Sequence, residues 1–267
     1  MLKDITLGQY FPGKSFIHRI DPRVKLVLTF VYIVALFLAK GILTYGLMLG
    51  WLVTAAATSR IPARMFFKGL RPLIFIIIFT GLLNIFYTEG RVLGEWWIFR
   101  VTVEGLIMAG RMILRIMMLV TGTFLLTYTT SPIQLTDALE RTLGPLKKIR
   151  VPVHELAMMM TIALRFIPTL IEEADKIMNA QRARGADFDS GNVIRRARAL
   201  IPLLVPLFVS AFRRAEDLAT AMECRCYHGG EGRTRLRVLV MRASDVVVLA
   251  FFLTLTVGVG FLAAWGF

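Results

Sequence analysis

The most prominent pattern in this chain is a series of long apolar runs separated by short polar segments. Runs of this kind are typical of membrane-spanning helices, which need about 20 residues to cross about 30 Å of hydrocarbon. The pattern predicts an all-α, polytopic membrane protein with about five transmembrane helices. The predicted spans cover residues 26–39, 41–58, 72–87, 105–128 and about 246–265.

The fourth predicted span contains two arginines, Arg111 and Arg115. Because they are four residues apart, they share one face of the helix. Charged side chains at such depth usually face protein or water rather than lipid. We therefore expect both arginines to face other helices.

Loop charges predict the orientation of the spans. Basic residues concentrate in cytoplasmic loops, and here they are concentrated in the N-terminal segment and in residues 60–71. The turn at 40–41 and the segment 88–104 are not basic in this way. This alternation indicates a cytoplasmic N-terminus. The bases of the 60–71 segment recur at helical spacing beside apolar residues, which favours a short helix lying on an anionic leaflet.

Composition supports a membrane protein over a soluble enzyme. Hydrophobic residues make up 56% of the 267 residues, and the formal net charge is +14. The mean hydropathy is +0.65, which is high for a soluble α/β enzyme. A nucleic-acid-binding protein would also be basic, but its apolar residues would not form such long runs, so we expect no nucleic-acid partner.

The segment between the fourth and last spans is predicted to be a helical cytoplasmic domain. It covers residues 129–243, after an N-terminal part at 1–128 and before the C-terminal helix at 244–267. An amphipathic helix is expected over 151–185 and a second helix over about 191–227. The apolar middle of the second helix, 199–212, is short and has arginines on both sides, so we expect it to stay at the inner face.

Arginines lie at the expected ends of both cytoplasmic helices, in QRARGADF (181–188) and AMECRCYHGGEGRTRL (221–236). Scattered arginines usually form a solvated face. Here, however, each arginine has small neighbours, which would let the helix end enter a groove on a partner. Arginine would then offer a planar, permanently charged set of donors to carboxylates or carbonyls.

At these residues the sequence resembles the T component of energy-coupling factor (ECF) transporters, which carries two Ala-Arg-Gly signatures at the ends of its coupling helices. Ala183-Arg184-Gly185 matches the first signature in full, whereas Cys224-Arg225-Cys226 keeps only the arginine of the second. Cys226 in place of glycine weakens any claim that this position needs a glycine-only backbone angle. Residues 8–23 also resemble the opening segment of the family.

The resemblance implies a non-catalytic coupling subunit of an ATP-driven, ABC-type importer for vitamins or metal ions in a prokaryotic cell membrane. Its implied partners are two ABC ATPase subunits, a membrane-embedded substrate-binding S component and the lipid bilayer. The ATPases would bind the ATP, so we expect no cofactor on this chain. Arg184 and Arg225 would each anchor one ATPase. The alternative is an integral-membrane enzyme with a cytoplasmic active site.

Two further motifs are weighed against this assignment. GQYFPGKS (8–15) matches the phosphate-binding pattern G-x-x-x-x-G-K-[ST], which would make the chain an ATPase itself. It lacks the preceding strand and the following helix of such a loop, so we expect no nucleotide there. Cys224-x-Cys226-x-His228 offers too few ligands for a zinc site, and we expect neither a metal nor a catalytic set of residues.

Overall fold

The computed structural model describes residues 9–96, 99–186, 188, 192, 194, 199–230, 232 and 239–265. Within these residues the fold is all-α apart from one antiparallel hairpin, in which Val92–Trp96 (β1) pairs with Phe99–Thr102 (β2). The helices before the hairpin are Phe16–Arg19 (α1), Pro22–Leu38 (α2), Ile42–Ser59 (α3), Ala63–Leu70 (α4) and Ile74–Tyr87 (α5), with a 3-10 turn at Arg71–Leu73. The helices after it are Val103–Thr129 (α6), Pro132–Thr142 (α7), Val153–Ala183 (α8), Ile201–Glu223 (α9) and Ala243–Ala264 (α10), with a 3-10 segment at Gly144–Ile149.

The chain forms two compact units. Among the described residues, the first unit comprises those between 9 and 138 and between 239 and 265, and the second comprises those between 139 and 232. The described N-terminus of the first unit therefore begins at Gln9, and Gly8 of the GQYFPGKS stretch lies outside the described residues.

Helix starts in the first unit follow ordinary capping chemistry. α2 begins with Pro22 after Asp21, whose carboxylate accepts a hydrogen bond from the Arg23 amide at 2.9 Å. α6 begins after Thr102, whose hydroxyl accepts from the Gly105 amide at 3.1 Å. These local signals explain why α2 begins four residues, and α6 two residues, before its apolar run.

The core of the first unit is built around α2, which packs against α6 and α10. Its buried side chains interleave with aromatic residues of the neighbouring helices. Trp51 of α3 lies with its ring centroid 4.3 Å from that of Phe252 on α10 and 5.5 Å from that of Tyr32 on α2. A Cβ at Gly122 would lie 2.6 Å from Cε1 of Tyr32, so a glycine lets α6 approach α2 at this point.

A buried polar cluster joins three helix ends of the same unit. The Lys25 ammonium donates to the Thr129 carbonyl at 2.9 Å, at the end of α6. The Asp245 carboxylate accepts from the Arg242 amide at 2.8 Å and from the Asp21 amide at 3.4 Å. Lys25, Asp21 and Asp245 are all buried, so the hydrogen bonds that they make here matter to the unit. Among the described residues, Asp21 Oδ2 accepts no hydrogen bond, and the Arg23 guanidinium lies 3.3 Å from it.

The two arginines of α6 lie in different surroundings. The Arg115 Nε donates to the Tyr45 hydroxyl at 2.8 Å, and another guanidinium nitrogen donates to the Ala39 carbonyl at 3.2 Å. The guanidinium carbon also lies 5.6 Å from the centroid of the Phe37 ring. Arg115 therefore contacts α3 and the turn between α2 and α3, whereas Arg111 is exposed on the first unit.

Four described helical segments are long and apolar enough to cross a membrane. They are Ile42–Ser59, Ala63–Tyr87, Val153–Ala183 and Ala243–Ala263. Their surfaces are rich in exposed apolar side chains, such as Phe75 at 77% and Val257 at 71%, as expected for contact with lipid rather than water. The protein is thus an all-α membrane protein.

This set differs from the five predicted spans in three respects. α2 has 17 residues and ends at Leu38, one residue before the end of its predicted span. α6 contains the predicted span 105–128 but, like α2, is not among the four segments. The short helix predicted at 60–71 continues through a 3-10 turn into α5. α8, which we expected outside the bilayer, qualifies by length and composition.

Candidate functional site

The first arginine end, residues 181–186, closes α8 with a pair of nested hydrogen bonds. The Ala186 amide donates to the Gln181 carbonyl and the Gly185 amide donates to the Arg182 carbonyl, each at 3.0 Å. Gly185 has a φ of 86°, in the left-handed region that only glycine enters without strain. This is the Schellman arrangement, and Arg184 is the residue immediately before its left-handed position.

The second arginine end, residues 222–227, closes α9 in the same way. The Tyr227 amide donates to the Met222 carbonyl at 3.1 Å and the Cys226 amide donates to the Glu223 carbonyl at 2.9 Å. Cys226 has a φ of 54° and therefore occupies the same left-handed position as the glycine of the first end. Arg225 again immediately precedes it.

The two ends thus repeat one geometry on two helices of the second unit. The sequence motif is complete at the first end and degenerate at the second, but the hydrogen bonds and the sign of φ agree at both. The left-handed angle is present at the second end even though glycine is absent. All six residues predicted to dock a partner are exposed: Ala183, Arg184, Gly185, Cys224, Arg225 and Cys226.

Both arginines lie where a helix ends, and a cation there has a local role as well. The carbonyl end of a helix carries partial negative charge, so a nearby arginine stabilises it by about 0.3–1 kcal/mol. That role needs only proximity to the helix end. It does not require the exposed position between small residues that Arg184 and Arg225 share.

α8 and α9 pack against each other and are joined by an ion pair. The Arg214 guanidinium of α9 donates to the Glu173 carboxylate of α8 at 2.8 Å. Arg214 also donates to the Ser210 hydroxyl at 3.4 Å. The pair is partly exposed, so its energetic contribution is modest.

A groove of about 560 Å³ lies beside the second arginine end. Met158 and Ile162 of α8 form one wall, and Leu218 and Met222 of α9 form the other. Arg225 also lines the groove. The groove therefore combines apolar walls with one exposed cation, which suits an apolar side chain next to a carboxylate.

A polar bridge in the second unit was not identified from the sequence. The His154 Nδ1 lies 2.9 Å from a Glu140 carboxylate oxygen, and its Nε2 lies 3.3 Å from the Tyr227 hydroxyl. The three residues belong to α7, α8 and the second arginine end, 14 and 73 residues apart. No local pattern marks such a contact, since it depends on how the helices pack.

The described part of the GQYFPGKS stretch, residues 9–15, is folded differently from a phosphate-binding loop. The His18 ring bonds to the Ser15 hydroxyl at 2.6 Å and to the Phe11 carbonyl at 2.9 Å. A Cβ at Gly13 would lie 2.8 Å from the same ring, so the loop folds around His18. Ser15 is buried and caps α1, a helix of only four residues. A phosphate-binding loop instead opens a longer helix with free amides and an available hydroxyl.

The CxCxH stretch was considered above as a metal site. Across these residues, no group of three or more His, Cys, Asp or Glu side chains is placed to hold a metal ion. Cys224 and Cys226 are free thiols, and the His228 ring bonds to the Cys226 carbonyl at 2.8 Å. The CxCxH stretch therefore forms part of the helix end.

Comparison with known proteins gives a consistent result. Residues 13–236 match the family CbiQ, described as cobalt transport protein. The chain is 53% identical over 248 residues to the energy-coupling factor transporter transmembrane protein EcfT of Ruminiclostridium cellulolyticum, covering 93% of each chain. It is 51% identical over 266 residues to the protein of that name from Acidaminococcus fermentans, covering 100% of this chain and 99% of the relative. For the Bacillus subtilis protein the identity is 49% over 265 residues, with 99% and 100% covered.

Proposed function

This chain belongs to the CbiQ family of cobalt transport proteins, and we propose that it is the coupling subunit of an ATP-driven importer of the energy-coupling factor type. In this proposal the chain binds no nucleotide. It joins two cytoplasmic ATPase subunits to a membrane-embedded S component that selects a vitamin or a metal ion. The importer lies in a prokaryotic cell membrane, with the N-terminus of this chain in the cytoplasm.

The observation that carries the proposal is the repeated geometry of the two arginine ends. One Schellman end with an exposed arginine could serve only to close a helix. Two such ends in one unit, each with the arginine just before the left-handed residue, fit two equivalent docking contacts. A pair of identical or homologous ATPases would present two equivalent grooves.

Motion would pass through the two packed helices. When the ATPases close on nucleotide, the anchored ends move with them, and α8 and α9 carry that movement along their lengths. The Arg214–Glu173 pair is one direct contact between the two helices along this path. Their exposed apolar side chains, including Met159 of α8 and Phe212 of α9, are the surface on which the S component would rest.

The docking role is tested by association of the purified chain with the two ATPases. Arg184→Ala and Arg225→Ala should each weaken the complex, since losing one partner of a buried charge pair costs about 2–5 kcal/mol. The double variant should abolish it. Arg→Lys should also be defective, because lysine lacks the planar donor array.

Matched controls come from exposed arginines on the same helices but away from their ends. Arg165 lies on α8, 19 residues before Arg184 and thus about 28 Å along the helix. Arg213 lies on α9. Alanine at either position changes the charge equally but should leave association intact. Equal loss from controls and end variants, or undiminished association of the double variant, rules out the proposed docking.

Labelling of the protein's own thiols tests independently whether the two arginine ends lie on the same side of the membrane. The chain has two cysteines, Cys224 and Cys226, and both are exposed at the second arginine end. A membrane-impermeant maleimide should label them in inverted vesicles and not in intact cells. The first end is then examined with Ala186→Cys in a background that lacks both native cysteines. Labelling of the two ends from opposite sides would contradict the proposal and would mean that a helix between them crosses the bilayer.

A further inference from the structure

The second arginine end is held by a polar bridge that reaches across three elements. Glu140 near the end of α7 contacts His154 near the start of α8 at 2.9 Å, and His154 faces Tyr227 at 3.3 Å. The His154 and Glu140 side chains are 18% and 12% exposed, so water competes little for these contacts.

The chemistry of the bridge fixes the roles of its atoms. A carboxylate only accepts hydrogen bonds, so the Nδ1–H of His154 donates to Glu140. In the neutral ring, Nε2 is then the acceptor, and the Tyr227 hydroxyl donates to it. The carboxylate thereby selects the ring tautomer that can receive the tyrosine.

A second contact holds the same segment from the other side. Gly230 lies directly against the imidazole of His154, and a Cβ at this position would overlap the ring. The segment from Tyr227 to Gly230 therefore contacts the His154 ring through its first residue and its last residue. Only a residue without a side chain allows the backbone to approach this closely.

The bridge acts next to the predicted docking residue. Tyr227 is two residues after Arg225, and its amide closes the helix by donating to Met222 at 3.1 Å. Holding the Tyr227 ring thus fixes the chain direction just after the left-handed turn at Cys226.

We propose that Glu140, His154 and Tyr227 form a positioning brace that holds Arg225 in the orientation in which it meets its ATPase. The inference rests on the proposed function, and it concerns the second end alone. The three residues do not themselves touch the partner. They reduce the number of orientations that Arg225 must abandon on binding, which is how preorganisation raises affinity.

The experiment measures the dissociation constant of the full-length chain for the ATPase pair. Tyr227→Phe removes a single hydroxyl, and His154→Leu removes the whole bridge. Both should weaken association about three- to tenfold, the range expected for losing one or two such hydrogen bonds. Glu140→Ala should match His154→Leu, whereas Glu140→Gln keeps an acceptor for Nδ1–H and should restore near-normal binding.

Combination with the end variants separates positioning from general structural damage. In an Arg225→Ala background, His154→Leu should cause no further loss of affinity for the ATPase pair, because the brace then has no arginine to position. In an Arg184→Ala background, His154→Leu should weaken binding by the same factor as it does in the otherwise wild-type chain. Coupling of this kind between contacting groups is what a double-mutant cycle detects.

Each outcome bears on one of the two proposals. If Arg225→Ala weakens association but Tyr227→Phe and His154→Leu do not, the brace is wrong and the docking role survives. If the His154→Leu loss is equal in both backgrounds, His154 supports the unit as a whole and the positioning role is overturned. If Arg225→Ala itself has no effect, the docking role fails and the brace with it.

Discussion

Replacing Cys226 by glycine should stabilise the second arginine end. Cys226 has a φ of 54°, and an L-residue in the left-handed region costs about 1–2 kcal/mol. Glycine removes that cost but loses about 0.5–1 kcal/mol through its greater freedom in the unfolded chain. The net expectation is a gain of about 0.5–1 kcal/mol in the local free energy of opening.

Hydrogen exchange at the Tyr227 amide measures this gain directly. That amide is bonded to the Met222 carbonyl at 3.1 Å and exchanges only when the helix end opens. The expected gain corresponds to exchange about two- to fivefold slower than in the wild type. Rates are normalised to the unfolded peptide of each variant, because the side chain before an amide alters its intrinsic exchange rate.

Two matched substitutions isolate the backbone effect. Cys224 has a φ of −59°, an ordinary helical angle, so Cys224→Gly should speed exchange by a similar factor instead of slowing it. Cys226→Ala removes the thiol but keeps the strain, so it should leave the rate unchanged. The reasoning is refuted if glycine at 226 acts as it does at 224, or if alanine at 226 protects the amide as well as glycine.

Three further predictions concern the first unit. Lys25→Met should lower the free energy of unfolding by about 2–3 kcal/mol, because the buried Thr129 carbonyl loses a charged donor. Tyr45→Phe should lower it by about 1.5–3 kcal/mol, because the Arg115 Nε loses its hydroxyl partner at 2.8 Å. Both are measured by reversible unfolding in mixed micelles. Lys14→Ala should leave nucleotide binding of the isolated chain at background in equilibrium dialysis, as in the wild type.

Exposed residues of the same types serve as controls for these changes. Lys40→Met and Tyr87→Phe alter side chains on the surface of the first unit, so each should shift the free energy of unfolding by less than about 0.5 kcal/mol. A loss at Lys40 equal to that at Lys25 would mean that the buried cluster has no special role. Nucleotide binding that Lys14→Ala abolishes would instead support a working phosphate loop.

Local sequence signals predicted much of the architecture. The apolar runs at 26–39, 41–58 and 105–128 each correspond to a helix. They could be predicted because a transmembrane helix consists of consecutive apolar residues. The end of α8 was also readable, since Gly185 is a residue that favours the left-handed angle and stops a helix.

Other features depend on residues far apart in the chain. Tyr45 and Arg115 are 70 residues apart, and His154 and Tyr227 are 73 apart, so neither contact has a local signature. Cys226 enters the left-handed region although its residue type does not favour it, because the Schellman bonds and the contacts that follow offset the strain.

What the sequence determined by itself was the class of protein, the position of most helices and the two arginine motifs. All three depend on short-range hydrophobicity, capping and residue type. Only the tertiary structure decided that the degenerate second motif has the same geometry as the first, and that His154 contacts both Glu140 and Tyr227 beside it. Those facts depend on helix packing, which brings together side chains and carbonyls that the linear order keeps apart.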